Sequence, residues 1–141
     1  EPGRSIVADA GMTLYTVGSI KRIPGYKQYA AVDGGMTDNP RYALYQSRYT
    51  VYHGSKTGPT ERFDVVGRCC ESGDIIQPHV ELPADTCRGD ILAVCTTGAY
   101  NYSMASNYNR LPRPPIVMLT PEGSYTAVRR ETFADLTALD E

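Results

Sequence analysis

Residues 67–74 read GRCCESGD, so two thiols, Cys69 and Cys70, stand side by side and are followed by a carboxylate, a hydroxyl, a glycine and a second carboxylate. The chemical reading makes one thiol a nucleophile or proton donor, with Glu71 or Asp74 holding a cation. A thiol suits proton donation near neutral pH, where it is still mostly protonated. Papain-like chemistry needs a histidine to activate the sulfur, and His79 is present but has no partner motif around it. The structural alternative is a strand end with small buried thiols, because free cysteine is among the most buried residue types. No metal is expected: there is no C-x-x-C, and His53 and His79 lack ligand spacing to the thiols.

Three further stretches could bind anions or polar ligands. In MTDNPRYALY, Thr37 or Asp38 can cap a helical turn that has Pro40 near its start, which sets Arg41 and Tyr45 four apart on one face. A guanidinium beside a phenol clamps a carboxylate or phosphate, although a solvated arginine next to a half-buried tyrosine has the same pattern. TGAYNYSMASNYNRLPRP, residues 97–114, is an ordered loop without a clean period. Its Tyr100, Tyr102 and Tyr108 either offer phenols to a ligand or plug the edge of a barrel. EPGR, residues 1–4, joins an arginine to a Pro-Gly turn with free N–H groups, a place where anions bind, or else is an ordinary turn.

The elements that must hold these loops follow from composition and periodicity. The chain has 141 residues, 41% of them hydrophobic, enough for one domain with a single core. A formal charge of -2 gives no broad footprint for nucleic acid or membrane, and no apolar run reaches the roughly 20 residues of a membrane span. The first residues lack the order of a signal peptide, and the absent initiator Met suggests that residues before Glu1 have been cut away. Cysteines at 69, 70, 87 and 95 are expected reduced, in a cytoplasmic protein, since adjacent cysteines rarely pair and a chain of this size needs no staple.

Thirteen glycines and ten prolines separate short segments rich in Val, Ile, Thr and Tyr, the texture of an antiparallel β protein. Strands are predicted at 11–23, 27–33, 47–53, 61–70, 75–83, 90–98, 114–120 and 124–131, with hairpin loops at 53–61 and 120–124. Helix is confined to a piece after Arg4, one turn near 40–45, and the tail RETFADLTALDE. In that tail Thr132 can cap, and Phe133, Leu136 and Leu139 make one stripe. The predicted fold is mainly β, a Greek-key-like barrel or sandwich with a few short helices and a C-terminal helix.

Taken together and in order, EPGRSIVADAG, VDGGMTDNPRYALY, GRCCESGD and GAYNYSMASNYNRLPRP resemble the diaminopimelate decarboxylase family, pyridoxal-phosphate enzymes of the alanine racemase-like fold type. That fold type also holds ornithine and arginine decarboxylases; the ornithine-type relatives have an aspartate after the cysteine where this chain has Glu71, which points to the diaminopimelate branch. The resemblance implies a two-domain enzyme converting meso-2,6-diaminopimelate to L-lysine and CO₂. Residues 1–10 would then end an N-terminal (β/α)₈ barrel, and residues 11–141 would form the C-terminal domain. It places Glu1, Pro2, Gly3 and Arg4 at the cofactor phosphate, with Arg4 also facing substrate, and makes Arg41 and Tyr45 substrate-binding. Glu71 would take the distal ammonium and Tyr100 would contact both cofactor and substrate.

The same resemblance makes Cys70 the proton donor, given to the partner subunit's site in a homodimer. Cys69, next to it on a strand, is expected to point into the core. The cofactor lysine would lie on the barrel, since Lys21, Lys27 and Lys56 read as solvated surface lysines. The chain alone is then expected to be inactive. The other readings are a related decarboxylase or racemase, of the ornithine, arginine or carboxynorspermidine type, and a non-catalytic dimerisation module.

Overall fold

The computed structural model describes residues 2–141. Two 3₁₀ turns, Gly3–Ile6 and Ala8–Ala10, lead into β1 (Met12–Ile23) and β2 (Lys27–Val32), followed by the single-turn helix α1 (Arg41–Tyr45). Then come β3 (Val51–His53), β4 (Thr60–Val66), β5 (Ile75–Pro83) and β6 (Ile91–Cys95). A hairpin of β7 (Ile116–Thr120) and β8 (Gly123–Val128) precedes α2 (Phe133–Leu136). No helix among these residues is long and apolar enough to cross a membrane.

Six strands form one sheet in the order β3-β6-β1-β2-β4-β5. β1 carries it by pairing with β6 along its first half and with β2 along its second, changing register between Val17 and Ser19, where Gly18 lies. Such a bulge bends the strand and lets one sheet curl. The curl nearly closes a barrel: the Tyr49 N–H just before β3 donates to Gln77 Oε1 on β5 at 2.7 Å, joining the two edges. Tyr15, Val17, Ala30, Val32, Phe63, Val65, Ile76, Leu82, Leu92 and Val94 fill the interior. Their alternation along β1, β2 and β6 is that of strands with one face inward.

Several expectations are corrected. β4 ends at Val66 rather than 70, because Gly67 passes so close to the Asp74 carboxylate that a side chain there would collide with it. The thiols therefore lie on a bent loop, and Cys69 is half-buried against Thr37 and Asp74 instead of pointing into the core. Residues 53–61 are not a hairpin loop, since β3 and β4 are not neighbours, and β2 pairs with β4 in parallel. Asp38 does not cap α1, whose N-cap is Pro40 without a side-chain bond; it turns back to accept from Gly35 N–H at 2.8 Å and from the Tyr15 hydroxyl. The tail helix is one turn long. Thr132 caps it in a reciprocal box with Asp135, but Phe133 and Leu139 are 74% and 95% exposed. Lys27 and Lys56 are not free surface lysines, being paired with Asp64 at 2.6 Å and Asp90 at 2.8 Å.

Candidate functional site

Strand directions bring the singled-out loops together. β2 and β4 run parallel, and β6 runs the same way because both it and β2 are antiparallel to β1. The segments that follow β2, β4 and β6 thus leave from one end of the barrel, and the segment before β1 enters there. These are residues 33–46, 67–74, 97–114 and 2–11. One end holds every stretch with candidate chemistry.

Arg41 is the centre of one cluster. Its guanidinium carbon lies 5.2 Å from the Tyr45 ring centroid and 4.8 Å from that of Tyr100, so the cation sits between two phenol faces. Nη1 lies 3.8 Å from Met104 Sδ and Nη2 lies 3.5 Å from Ser47 Oγ, while Nε is buried without a hydrogen-bond partner among the described residues. Tyr100 reaches this place by adopting φ 70°, a left-handed conformation that is costly for an aromatic residue. Its hydroxyl lies 3.3 Å from the place a Gly3 side chain would occupy, and Gly3 itself has φ 50°. The Pro2–Arg4 turn, Tyr100 and the Arg41–Tyr45 helix therefore adjoin, with Arg4 exposed on the turn. Glu1 lies outside the described residues.

The thiol loop is the second cluster, and its centre is Asp74, only 4% exposed. Asp74 Oδ1 accepts from Met36 N–H at 2.6 Å and Oδ2 from Cys69 N–H at 2.7 Å, so one carboxylate joins the loop after β4 to the segment after β2. Burial and the adjacent Asp74 carboxylate push the Cys69 thiol up to about 11, keeping it protonated. Beside it, burial raises both the Tyr15 phenol, also raised by Asp38, and the Asp38 carboxyl, although the Tyr15 hydroxyl and the Gly35 N–H oppose the latter shift. Cys70 and Glu71 are exposed at the loop tip. Glu71 Oε1 accepts only locally, from Ser72 Oγ and Gly73 N–H, both at 3.3 Å. Among the described residues no hydrogen bond or ion pair joins Glu71 to Arg41, so the two clusters share an end of the barrel without closing on each other.

Sequence reading missed three members of this end. Asp74 was considered only as a cation holder, whereas it faces inward and takes backbone N–H groups; the glycines at 35 and 67, both crowded by its carboxylate, are the signal for that role. The Tyr15–Asp38 pair joins residues 23 apart and carries no local signature. Asn109, which accepts from Cys70 N–H at 2.7 Å, sits inside loop 97–114, where nothing in the spacing marks one amide from another.

Donors at Arg41, Arg4 and the Tyr100 hydroxyl suit an anionic group such as a phosphate or carboxylate, and the unpartnered Arg41 Nε favours a ligand beside it. No lysine accompanies them: Lys21, Lys27 and Lys56 lie toward the opposite end, on the last half of β1, at the start of β2 and after β3. No group of three or more His, Cys, Asp or Glu among the described residues could hold a metal ion. This end therefore fits as one wall of a pyridoxal-phosphate site, supplying anion contacts but no covalent anchor.

Residues 5–98 match the family described as pyridoxal-dependent decarboxylase, C-terminal sheet domain. The diaminopimelate decarboxylase of Bacillus subtilis is 51% identical over 142 residues, which is 99% of this chain and 32% of that protein. Among solved structures, the diaminopimelate decarboxylase of M. jannaschii superposes with a TM-score of 0.94 at 37% identity, covering 99% of this chain and 32% of that one. The Helicobacter pylori diaminopimelate decarboxylase, in complex with L-lysine, gives a TM-score of 0.91 at 35% identity over 99% of this chain and 34% of that one. The chain spans about a third of the length of the relatives it matches.

Proposed function

The chain belongs to the pyridoxal-dependent decarboxylases, as their C-terminal sheet domain, and from that premise we propose that it is part of an enzyme converting meso-2,6-diaminopimelate to L-lysine and CO₂. The observation that carries the reading is the Arg41 guanidinium held between Tyr45 and Tyr100 at the same end of the barrel as Cys70 and Glu71. Residues 1–10 close an N-terminal barrel domain that bears the cofactor lysine, and residues 11–141 are the sheet domain that covers it. The enzyme is a cytoplasmic homodimer.

Pyridoxal phosphate, when bound, supplies the electron sink for loss of a carboxylate as CO₂. The chain's own residues choose the substrate and return a proton. Glu1, Pro2, Gly3 and Arg4 would hold the cofactor phosphate together with Tyr100, whose hydroxyl lies beside Gly3. Diaminopimelate carries an amino acid group at each end, so its distal end needs a cation for the carboxylate and an anion for the ammonium. Arg4 or Arg41 provides the first and Glu71 the second. Tyr45 and Tyr100 hold the Arg41 fork flat, which fixes the direction in which it meets a carboxylate.

Cys70 Sγ–H delivers the proton to the carbon that has lost CO₂, and Cys69, kept protonated and turned toward Asp74, takes no part. Cys70 and Glu71 act in the partner subunit's site, a reading with which their separation from Arg41 of the same chain agrees. The test is substrate choice by the full-length enzyme. CO₂ release from meso-diaminopimelate, with L-lysine and L-ornithine at least about a hundredfold poorer, is the expected result. Equal use of a substrate without the distal carboxylate contradicts it.

A further inference from the structure

Each backbone N–H from Gly67 to Glu71 has an acceptor, and four of the five acceptors lie within the loop or on the neighbouring segment after β2. Gly67 donates to Asp74 O at 2.9 Å, Arg68 to Gly34 O at 3.1 Å, Cys69 to Asp74 Oδ2 at 2.7 Å and Glu71 to Cys69 O at 2.8 Å. The Cys70 N–H alone is met from elsewhere, by Asn109 Oδ1 at 2.7 Å, across 39 residues. Among the described residues this is the one hydrogen bond joining the thiol loop to the tyrosine-rich loop 97–114.

Asn109 is presented by a braced turn. Asn109 and Arg110 stand in succession at φ 56° and 57°, a conformation Asn tolerates far better than most residues. Asn107 fixes one side of the turn by donating to Glu131 Oε2 at 2.6 Å and to Leu111 O at 3.1 Å. Ser106 N–H ties the same approach to the segment after β2 through Thr37 O at 2.8 Å. The shape of the turn thus does not depend on Cys70, and two consecutive left-handed residues aim one amide oxygen at the thiol's own peptide.

We propose that Asn109 is a positioning residue for the decarboxylation: by holding the Cys70 N–H it fixes where Sγ stands at the exposed loop tip. This rests on the reading of Cys70 as proton donor. Without the amide oxygen the loop keeps its other four bonds, so the fold survives, but the Cys70 peptide is free to rotate and the thiol loses its fixed place. Misplacement by about 1 Å is enough to cost up to a hundredfold in rate.

The experiment uses the full-length enzyme with Asn109→Gly, which keeps the left-handed backbone and removes the oxygen, and Asn109→Asp, which keeps an acceptor. The Gly variant is expected to lower kcat by about tenfold or more with KM for meso-diaminopimelate changed less than about threefold, and the Asp variant to recover most of the loss. A second readout needs no turnover: the rate of Cys70 alkylation by iodoacetamide, followed by peptide mass, shifts at least about threefold in the Gly variant and returns in the Asp variant. Unchanged kcat together with an unchanged Cys70 alkylation rate in the Gly variant overturns the proposal. So does an Asp variant as impaired as the Gly one. Cys70→Ala in the same enzyme separates the two claims: if it retains full turnover the donor assignment fails, while the alkylation rates still decide whether Asn109 places the thiol.

Discussion

The two ends of the barrel each hold a cysteine near an aspartate, buried Asp74 at one and half-buried Asp90 at the other, and the two pairs are built differently. At the loop end, Asp74 takes two backbone N–H groups and pairs with no cation among the described residues, and burial together with this carboxylate pushes the Cys69 thiol up to about 11. At the far end, Asp90 takes the Cys87 N–H at 2.8 Å, the Lys56 ammonium at 2.8 Å and the approach of His53 Nε2 at 3.1 Å. Burial alone would raise the Asp90 carboxyl, but Lys56 and these other donors hold it well below the usual carboxylate range. A carboxylate satisfied by backbone alone orders a loop and leaves a local negative field. One satisfied by a lysine ties down a loop and neutralises itself. The first arrangement shapes a site; the second closes an edge.

Replacing each aspartate breaks this contrast, with the larger effect at the site. Asp74→Ala leaves the Met36 and Cys69 N–H groups without their acceptor, at a local cost of roughly 2–4 kcal/mol. Hydrogen exchange of the full-length enzyme should then rise about a hundredfold or more in residues 34–38 and 67–74, and turnover should fall with it. Asp90→Ala frees Lys56 and the Cys87 N–H. Exchange should rise no more than about tenfold, confined to residues 53–58 and 85–90, with kcat unchanged. Loss of turnover from the far-end variant would remove the distinction.

Thiol labelling sharpens the contrast further. At pH 8 iodoacetamide should modify Cys69 at least about tenfold more slowly than exposed Cys87, and Asp74→Asn should speed up Cys69 alone. Since the Cys69 value is raised in the fold, its contribution to stability is whole below the unfolded thiol value of about 8.5 and is lost as pH climbs through about 11.

The smallest effect concerns the brace behind Asn109. The Arg113 side chain and N–H, with Asn107, hold the Glu131 carboxyl down to about 2. A depressed carboxylate stabilises above its unfolded value of about 4.3 and stops doing so as pH falls toward 2. Glu131→Gln should therefore flatten the exchange of residues 105–113 across pH 4 to 2 and change little at pH 7.

What could be read from the sequence followed local rules. Strands of period two, the Pro-Glu turn of β7–β8 and the Thr132 cap depend on neighbours in the chain, and each is found where it was expected within a few residues. Arg41 and Tyr45 share a helix turn, so their meeting was legible; that Tyr100 completes the stack was not, because a left-handed Tyr100 bridges 59 positions by tertiary contact. The strand through Cys69 and Cys70 failed for one reason. Gly67 is the one local mark of where β4 stops, and what makes it a stop, a buried carboxylate arriving from Asp74, is a tertiary contact. The tail stripe failed differently: Phe133 and Leu139 have the spacing of a buried face, yet nothing among the described residues covers them.

Subunit mixing tests most directly whether Cys70 and Glu71 complete a site on the partner subunit. Full-length Cys70→Ala enzyme is mixed, under conditions that exchange subunits, with an inactive variant of the same enzyme lacking the barrel lysine that anchors the cofactor. Random two-fold dimers then place one intact site in half of the molecules, so activity on meso-diaminopimelate should return to roughly a quarter of the wild-type level. A mixture that stays as inactive as its components, while subunit exchange is shown to be complete, contradicts the shared site.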